Sequence, residues 1–145
     1  MGFTHEITVG FHHCDPAGIV FYPRYFDMVN SAVEKFFADH VGQSIASIIL
    51  EQKRGGTPAA KVFAEFKRPS RLGDVLKFRV GVERIGNSSA DLEFRVWCEE
   101  ELRVVCRKTI VWTDRDVKPE PWPPEIRAKL VEANSWKPKP SREEN

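Results

Sequence analysis

The sequence predicts an α+β domain in which one long, largely buried helix packs on an antiparallel sheet, and three observations lead to that class. Apolar and polar residues alternate in five separate stretches, the period of strands with one buried face. From Pro23 the period changes to that of a helix, with apolar residues over more than half of its circumference. The later strand stretches follow one another across turn signals with no helix between them, which is an antiparallel order rather than a βαβ order.

Residues 3 to 11 set Phe3, His5, Ile7, Val9 and Phe11 on one parity, so a first strand is expected there. Asp15-Pro16-Ala17-Gly18 then breaks the alternation with turn chemistry. In the helix that follows, Phe26, Val29, Val33 and Phe36 form one stripe, and Tyr25, Met28, Ala32 and Phe37 widen it. Pro23 suits the first helical position, where its missing N–H costs nothing, and Gly42 is a stop just after His40. Ile45, Ile48, Ile49 and Leu50 permit a short second helix or an irregular segment.

After the loop Gly55-Gly56-Thr57-Pro58, Ala60, Val62, Ala64 and Phe66 alternate with Lys61, Phe63, Glu65 and Lys67 up to Pro69. Leu76, Phe78, Val80 and Val82 form the next strand, Gly86 to Ser89 a turn, and Leu92, Phe94, Val96 and Cys98 another strand. An acidic turn, Glu99-Glu100-Glu101, leads into a last strand from Leu102 to Thr113. These four strands are expected to form a meander. Pro124 to Asn134 reads as a short amphipathic helix through Ile126, Leu130 and Val131. Residues 1–136 therefore read as one domain, and residues 137–145 as a disordered tail.

Composition narrows the function. Lys and Arg number 22 against 21 Asp and Glu, a net charge of +1 that gives no reason to expect nucleic acid or an acidic membrane surface as partner. No apolar run approaches the roughly 18 residues of a membrane helix, and no signal-peptide pattern opens the chain, so a cytoplasmic protein is expected. The three cysteines are an odd number without a C-x-x-C pair and read as reduced thiols, Cys98 and Cys106 as core.

The chemistry concentrates in residues 11–26. Asp15 stands seven residues before Tyr22-Pro23, where the helix begins, and a helix entrance offers unbonded N–H groups and the positive end of the helix dipole. A carboxylate facing such an entrance can act as base or nucleophile while the N–H groups hold a developing oxyanion. Asp-Pro is also an ordinary turn dipeptide whose carboxylate caps local backbone. His12 and His13 could donate to a metal, but on a continued strand they would point to opposite faces. Cys14 could pair with a histidine as nucleophile, although the neighbouring carboxylate disfavours a thiolate.

With this order of elements and the run Asp15-Pro16-Ala17-Gly18-Ile19-Val20-Phe21-Tyr22-Pro23-Arg24-Tyr25 at the helix entrance, the chain resembles the hot dog fold acyl-CoA thioesterases, and among them the 4-hydroxybenzoyl-CoA thioesterase family. The resemblance implies a curved antiparallel sheet wrapped around a central helix. It implies hydrolysis of an acyl-CoA to free acid and coenzyme A, without metal or organic cofactor, in a homo-oligomer of paired subunits for which a dimer of dimers is expected. The family's acidic residue falls on Asp15 and its oxyanion-binding N–H on Tyr22, with Gly18 shaping the loop. His13 and Tyr25 are candidates for the substrate pocket, and Arg84, Ser88 and Ser89 for coenzyme A, with Lys67, Arg68 and Arg71 as a rival basic cluster. Phe21, Phe26, Phe36, Phe37 and Phe63 could line an acyl pocket or simply be core, so the acyl group, aromatic or short to medium aliphatic, stays open. Two other functions fit the same architecture: hydration or dehydration of an acyl thioester, which needs an opposed acid and base, and non-catalytic binding of acyl-CoA.

Overall fold

The computed structural model describes residues 2–134; the tail expected at residues 137–145 lies outside them. Five strands, β1 (Phe3–Thr8), β2 (Ala59–Phe66), β3 (Val75–Ile85), β4 (Ser89–Cys98) and β5 (Glu101–Val111), form one sheet in the order β1-β3-β4-β5-β2. Every neighbouring pair is antiparallel. The expected meander holds for β3-β4-β5 but not for β2, which pairs with β5 at the far edge. The reason lies in β1: Phe3, His5 and Ile7 stand opposite Val80, Phe78 and Leu76 and fill the free side of β3. The other sheet edge is then the one left for β2.

Helix α1 (Arg24–Phe36) crosses the sheet and buries Tyr25, Met28, Val29, Ala32, Val33 and Phe36. It runs on through a wider π-helical turn, Phe37–Val41, and stops at Gly42, whose φ of +84° suits glycine. Ser47–Glu51 forms a second such turn, so the Ile48 segment is helical but irregular. Beneath α1 the sheet presents Leu76, Phe78, Val80 and Val82 from β3, Leu92, Phe94 and Val96 from β4, and Val104, Cys106 and Ile110 from β5, all buried. Burial of each large side chain contributes about 1.5–3 kcal/mol, so this row is the main source of stability.

Helix α2 (Pro124–Asn134) closes the core with Ile126, Leu130 and Ala133. Val131, expected on its apolar stripe, instead faces solvent. The Asn134 amide donates to the Val82 carbonyl at 2.8 Å and ties the helix end to β3.

The outer face of the sheet is charged: Arg95 and Arg107 bridge to Glu93 at 3.0 and 3.2 Å, and Arg107 also approaches Glu83. Strand β2 differs from the others, because Val62, Phe63 and Phe66 remain 46–51% exposed along an unpaired edge.

Candidate active site

Strand β1 ends at Thr8, three residues earlier than the alternation suggests, and residues 11–13 make a single tight turn in which the His13 N–H donates to the Gly10 carbonyl at 3.0 Å. Phe11, placed by parity on the buried face, is 85% exposed. From there the chain folds into a small hairpin: Phe21 N–H donates to His13 O, Cys14 bridges Val20, and Asp15 N–H donates to Ile19 O. Gly18 turns it with φ +79° while its N–H donates to Asp15 O at 3.0 Å. A side chain there would meet no neighbour, so glycine is required by backbone conformation rather than by space.

The Asp15 carboxylate is half-buried at this tip and its Oδ1 accepts the Ala17 N–H at 2.9 Å. The Asp-Pro turn is thus a real Asx turn, and one carboxylate oxygen is spent on it.

The entrance of α1 is more selective than a generic helix terminus. Arg24, Tyr25 and Phe26 donate their N–H groups to the carbonyls of Phe21, Tyr22 and Pro23 in tight bonds of 2.8–3.1 Å, and Pro23 has no N–H. Among the described residues the Tyr22 N–H donates to nothing. Its ring is exposed and lies edge-on to Phe21 and Phe66.

The hairpin is held from below by the linker 67–74. Val20 N–H donates to Ser70 O at 2.8 Å and Leu72 N–H to Gly18 O at 3.1 Å. Arg103 of β5 fixes that linker through Pro69 O, Ser70 Oγ and Asp74 Oδ2, the last at 2.8 Å. Burial alone would raise the Asp74 pKa, but the Arg71 N–H and the Arg103 guanidinium outweigh it and hold the carboxyl below its ordinary value. Tyr25 is buried against Phe66, with its hydroxyl on Ser70, so it supports the entrance from behind. Burial raises its pKa, which keeps the phenol neutral.

His12 and His13 do not point to opposite faces, because the tight turn replaces the expected strand: their ring centroids are 3.8 Å apart. His13 is buried, and burial, followed by the nearby His12, lowers its pKa. Its ring is therefore neutral at pH 7, with Nδ1 accepting the Gly10 N–H at 2.9 Å. Together with Ile7, Asp27, Met28 and Ser31 the two rings line a cavity of about 340 Å³ on the β1 side of α1. No group of three or more His, Cys, Asp or Glu among the described residues could hold a metal ion. The Cys14 thiol is turned to the Gly10 carbonyl.

Arg84, Ser88 and Ser89 are not brought to Asp15 within one chain. Strand β3 starts beside the hairpin, and Arg84 lies nine residues along it, about 30 Å away at the strand rise. There Arg84 forks onto Asp91 at 2.8 and 3.3 Å and donates to Ser89 Oγ. Lys67, Arg68 and Arg71 lie in the linker at the hairpin's own end of the sheet.

Sequence reading passed over Ser70, Asn30 and Lys108. Ser70 carries no distinguishing pattern. Lys108 does, because it stands at a core-facing parity between Cys106 and Ile110.

One long helix laid across a curved five-stranded antiparallel sheet of order β1-β3-β4-β5-β2 defines a hot dog fold, and the hairpin before the helix carries Asp15. The chain belongs to the thioesterase-like superfamily, whose family model matches residues 9–130. Among solved structures it is similar to a gentisyl-coenzyme A thioesterase, with 25% identity, a TM-score of 0.80, and coverage of 86% of this chain and 99% of that one. A 1,4-dihydroxy-2-naphthoyl-CoA thioesterase from Synechocystis is 19% identical at a TM-score of 0.81, over 90% of this chain and 96% of that one. A thioesterase superfamily protein from Jannaschia sp. CCS1 is 22% identical at 0.84, over 91% and 92%. No curated protein matches the chain. Among the described residues, no helix is long and apolar enough to cross a membrane.

Proposed function

We propose that the protein hydrolyses an acyl-CoA thioester, with Asp15 as nucleophile or general base and the Tyr22 N–H as oxyanion donor. The observation that carries this reading is the selective entrance of α1: four consecutive positions are bonded or lack a proton, and the remaining N–H, that of Tyr22, directly follows the hairpin that carries Asp15 near its tip. A thioester carbonyl oxygen seated on Tyr22 N–H gains charge as its carbon is attacked, and a preorganised donor stabilises that charge.

In the general-base route Asp15 takes a proton from water, the hydroxide adds to the carbonyl carbon, and the C–S bond then breaks. The departing thiolate takes a proton and leaves as coenzyme A thiol. In the nucleophilic route a carboxylate oxygen of Asp15 adds first, thiolate leaves, and water cleaves the mixed anhydride. A thiolate is a good leaving group, so neither route requires a strong general acid.

Opposed acid and base are what hydration of an enoyl thioester would need, and His13 already spends Nδ1 on Gly10. The exposed β2 edge supports assembly of copies along that strand, the first step towards the expected dimer of dimers. Three free thiols support a reducing, cytoplasmic location.

Release of free thiol from aromatic, short and medium-chain acyl-CoAs tests the reading. Turnover above background that is lost in Asp15→Asn is expected, and no turnover with any of them overturns it. In single turnover in H₂¹⁸O, label on Asp15 identifies the nucleophilic route, and trapping of acylated Asp15 with hydroxylamine identifies it where water attacks the acyl carbon and the label goes to the product acid. Label in the acid with no trapped Asp15 adduct identifies the general-base route.

A further inference from the structure

Period two along β5 from Val104 turns Val104, Cys106, Lys108 and Ile110 to the helix side of the sheet, and three of these four are at most 1% exposed. Lys108 is the exception in kind. It stands opposite Leu92 of β4 and Val62 of β2, where an apolar residue would fit. With Phe26, Val29, Asn30, Ala59, Val62 and Ala64 it lines a groove of about 420 Å³ between α1 and the β2 edge.

The ammonium donates to Asn30 Oδ1 at 2.7 Å. It has no carboxylate partner among the described residues, and neighbouring Cys106, whose thiol burial pushes up to about 11, supplies no negative charge at neutral pH. Burial holds the Lys108 pKa below its ordinary value, the mark of a charge with part of its water removed. An ammonium has three donors and Asn30 accepts from one, so two are left for an acceptor that enters the groove.

The groove lies along the part of α1 that follows its entrance at Tyr22, with Phe26 its first lining residue on the helix. Tyr22, Phe26, Val29 and Asn30 follow one face of the helix and its entrance, and Asn30 is eight residues beyond Tyr22, about 12 Å along the axis. Side chains lean back towards the helix N-terminus, which shortens that span.

We propose that this groove takes the acyl part of the substrate and that Lys108, positioned by Asn30, selects acyl groups bearing an anionic oxygen, carboxylate or phenolate, about 10 Å beyond the thioester carbonyl. The inference rests on the thioesterase reading and deepens it to a substrate class. Lys108 is a specificity residue: it is remote from the bond that breaks, so its removal changes which thioester is used rather than whether thioesters are cleaved.

The test compares octanedioyl-CoA with octanoyl-CoA, and 6-hydroxy-2-naphthoyl-CoA with 2-naphthoyl-CoA, in wild type, Lys108→Met and Lys108→Arg. Wild type should favour the oxygen-bearing member of at least one pair by tenfold or more in kcat/KM. The pair that responds identifies carboxylate or phenolate. Lys108→Met, which suits its apolar row, should abolish the preference while keeping turnover of the neutral member within about threefold, and Lys108→Arg should restore part of it. Binding of the same pairs to Asp15→Asn by calorimetry reads the preference without turnover, so a protein that binds selectively but cleaves nothing refutes the hydrolase and not the groove. Equal use and equal binding of both members in wild type, an unchanged ratio in Lys108→Met, or a change of oligomer mass in that variant overturns the proposal.

Discussion

The N–H of Phe21 donates to the carbonyl of His13 across 2.9 Å, and by closing the hairpin there it leaves the next N–H, that of Tyr22, as the unbonded donor at the mouth of α1. The ring of Tyr22 has no such constraint, being exposed and, among the described residues, without a hydrogen bond. Asp15→Asn should therefore lower kcat on the order of 10²–10⁴-fold, the range for loss of a positioned base. Tyr22→Phe keeps the backbone donor and should retain kcat within about threefold. Thiol release under saturating acyl-CoA checks both. A Tyr22→Phe loss as large as that of Asp15→Asn would move the oxyanion role from backbone to phenol.

Arg103 acts on the site at one remove, through the linker that holds Gly18 and Val20. In Arg103 the Nη1 group alone reaches Pro69 O, Ser70 Oγ and Asp74 while Nε lies 2.6 Å from Glu101, and the single ammonium of Arg103→Lys keeps the charge but cannot serve both sides. We expect a loss of about 1–3 kcal/mol in chemical denaturation, as for charged hydrogen bonds of limited exposure. A fall in kcat with KM little changed should accompany it, since the hairpin and not the substrate loses support. The pH sign is fixed by Asp74, whose folded pKa is depressed. Its contribution is present above the ordinary carboxyl value and disappears as pH falls through the lower folded value, so the difference between Arg103→Lys and wild type should shrink in acid.

Much of this arrangement can be read in the chain, and what cannot has a physical cause. Val29, Val33 and Phe36 declare a buried helix because one helix face meets one sheet, and Leu92, Phe94 and Val96 declare a central strand because period two maps directly onto burial. Strand order is a matter of which edge is vacant, and nothing within Ala60 to Phe66 states that Phe3, His5 and Ile7 have already filled the side of β3. Asp15, Gly18 and Tyr22 lie within eight residues, so a local motif holds them. Lys108 and Asn30 meet only through tertiary packing, 78 residues apart, and their one sequence trace is a charge at a core parity.

Glu93 sits on the outer sheet face at 4% exposure, beside the carboxylate of Glu83. Burial first, then that neighbouring carboxylate, raises its pKa from 4.5 to about 7 in spite of Arg95 and Arg107. The folded state therefore binds the extra proton between pH 4.5 and 7, and stability should decline as pH rises through that window and level off above it. Glu93→Gln keeps a donor towards Glu83 without an ionisable group. Its unfolding midpoint should vary less than that of wild type between pH 5 and pH 8, and equal slopes for the two proteins would show that the proton is not held there.

Pairing of copies along the exposed edge of β2 would link assembly to coenzyme A recognition. Two copies paired antiparallel along β2 would set the Ala59 end of one strand against the Phe66 end of the other, so the Arg84–Ser89 turn of one copy would approach the Asp15 end of its partner. That geometry would shorten the separation of about 30 Å which keeps the two apart within a chain. Phe63, 51% exposed in mid-strand, is the position at which to test it. Phe63→Lys would set like charges near the two-fold axis and should shift the mass in light scattering from oligomer to monomer. If the turn serves the partner's substrate, Arg84→Ala in the intact oligomer should raise KM for an acyl-CoA about tenfold, as for a charge-assisted contact of roughly 1.4 kcal/mol, and leave KM for the N-acetylcysteamine thioester of the same acid unchanged. If instead Lys67→Ala or Arg71→Ala gives that split and Arg84→Ala does not, coenzyme A is read by the linker of the same chain, and the turn has no part in it.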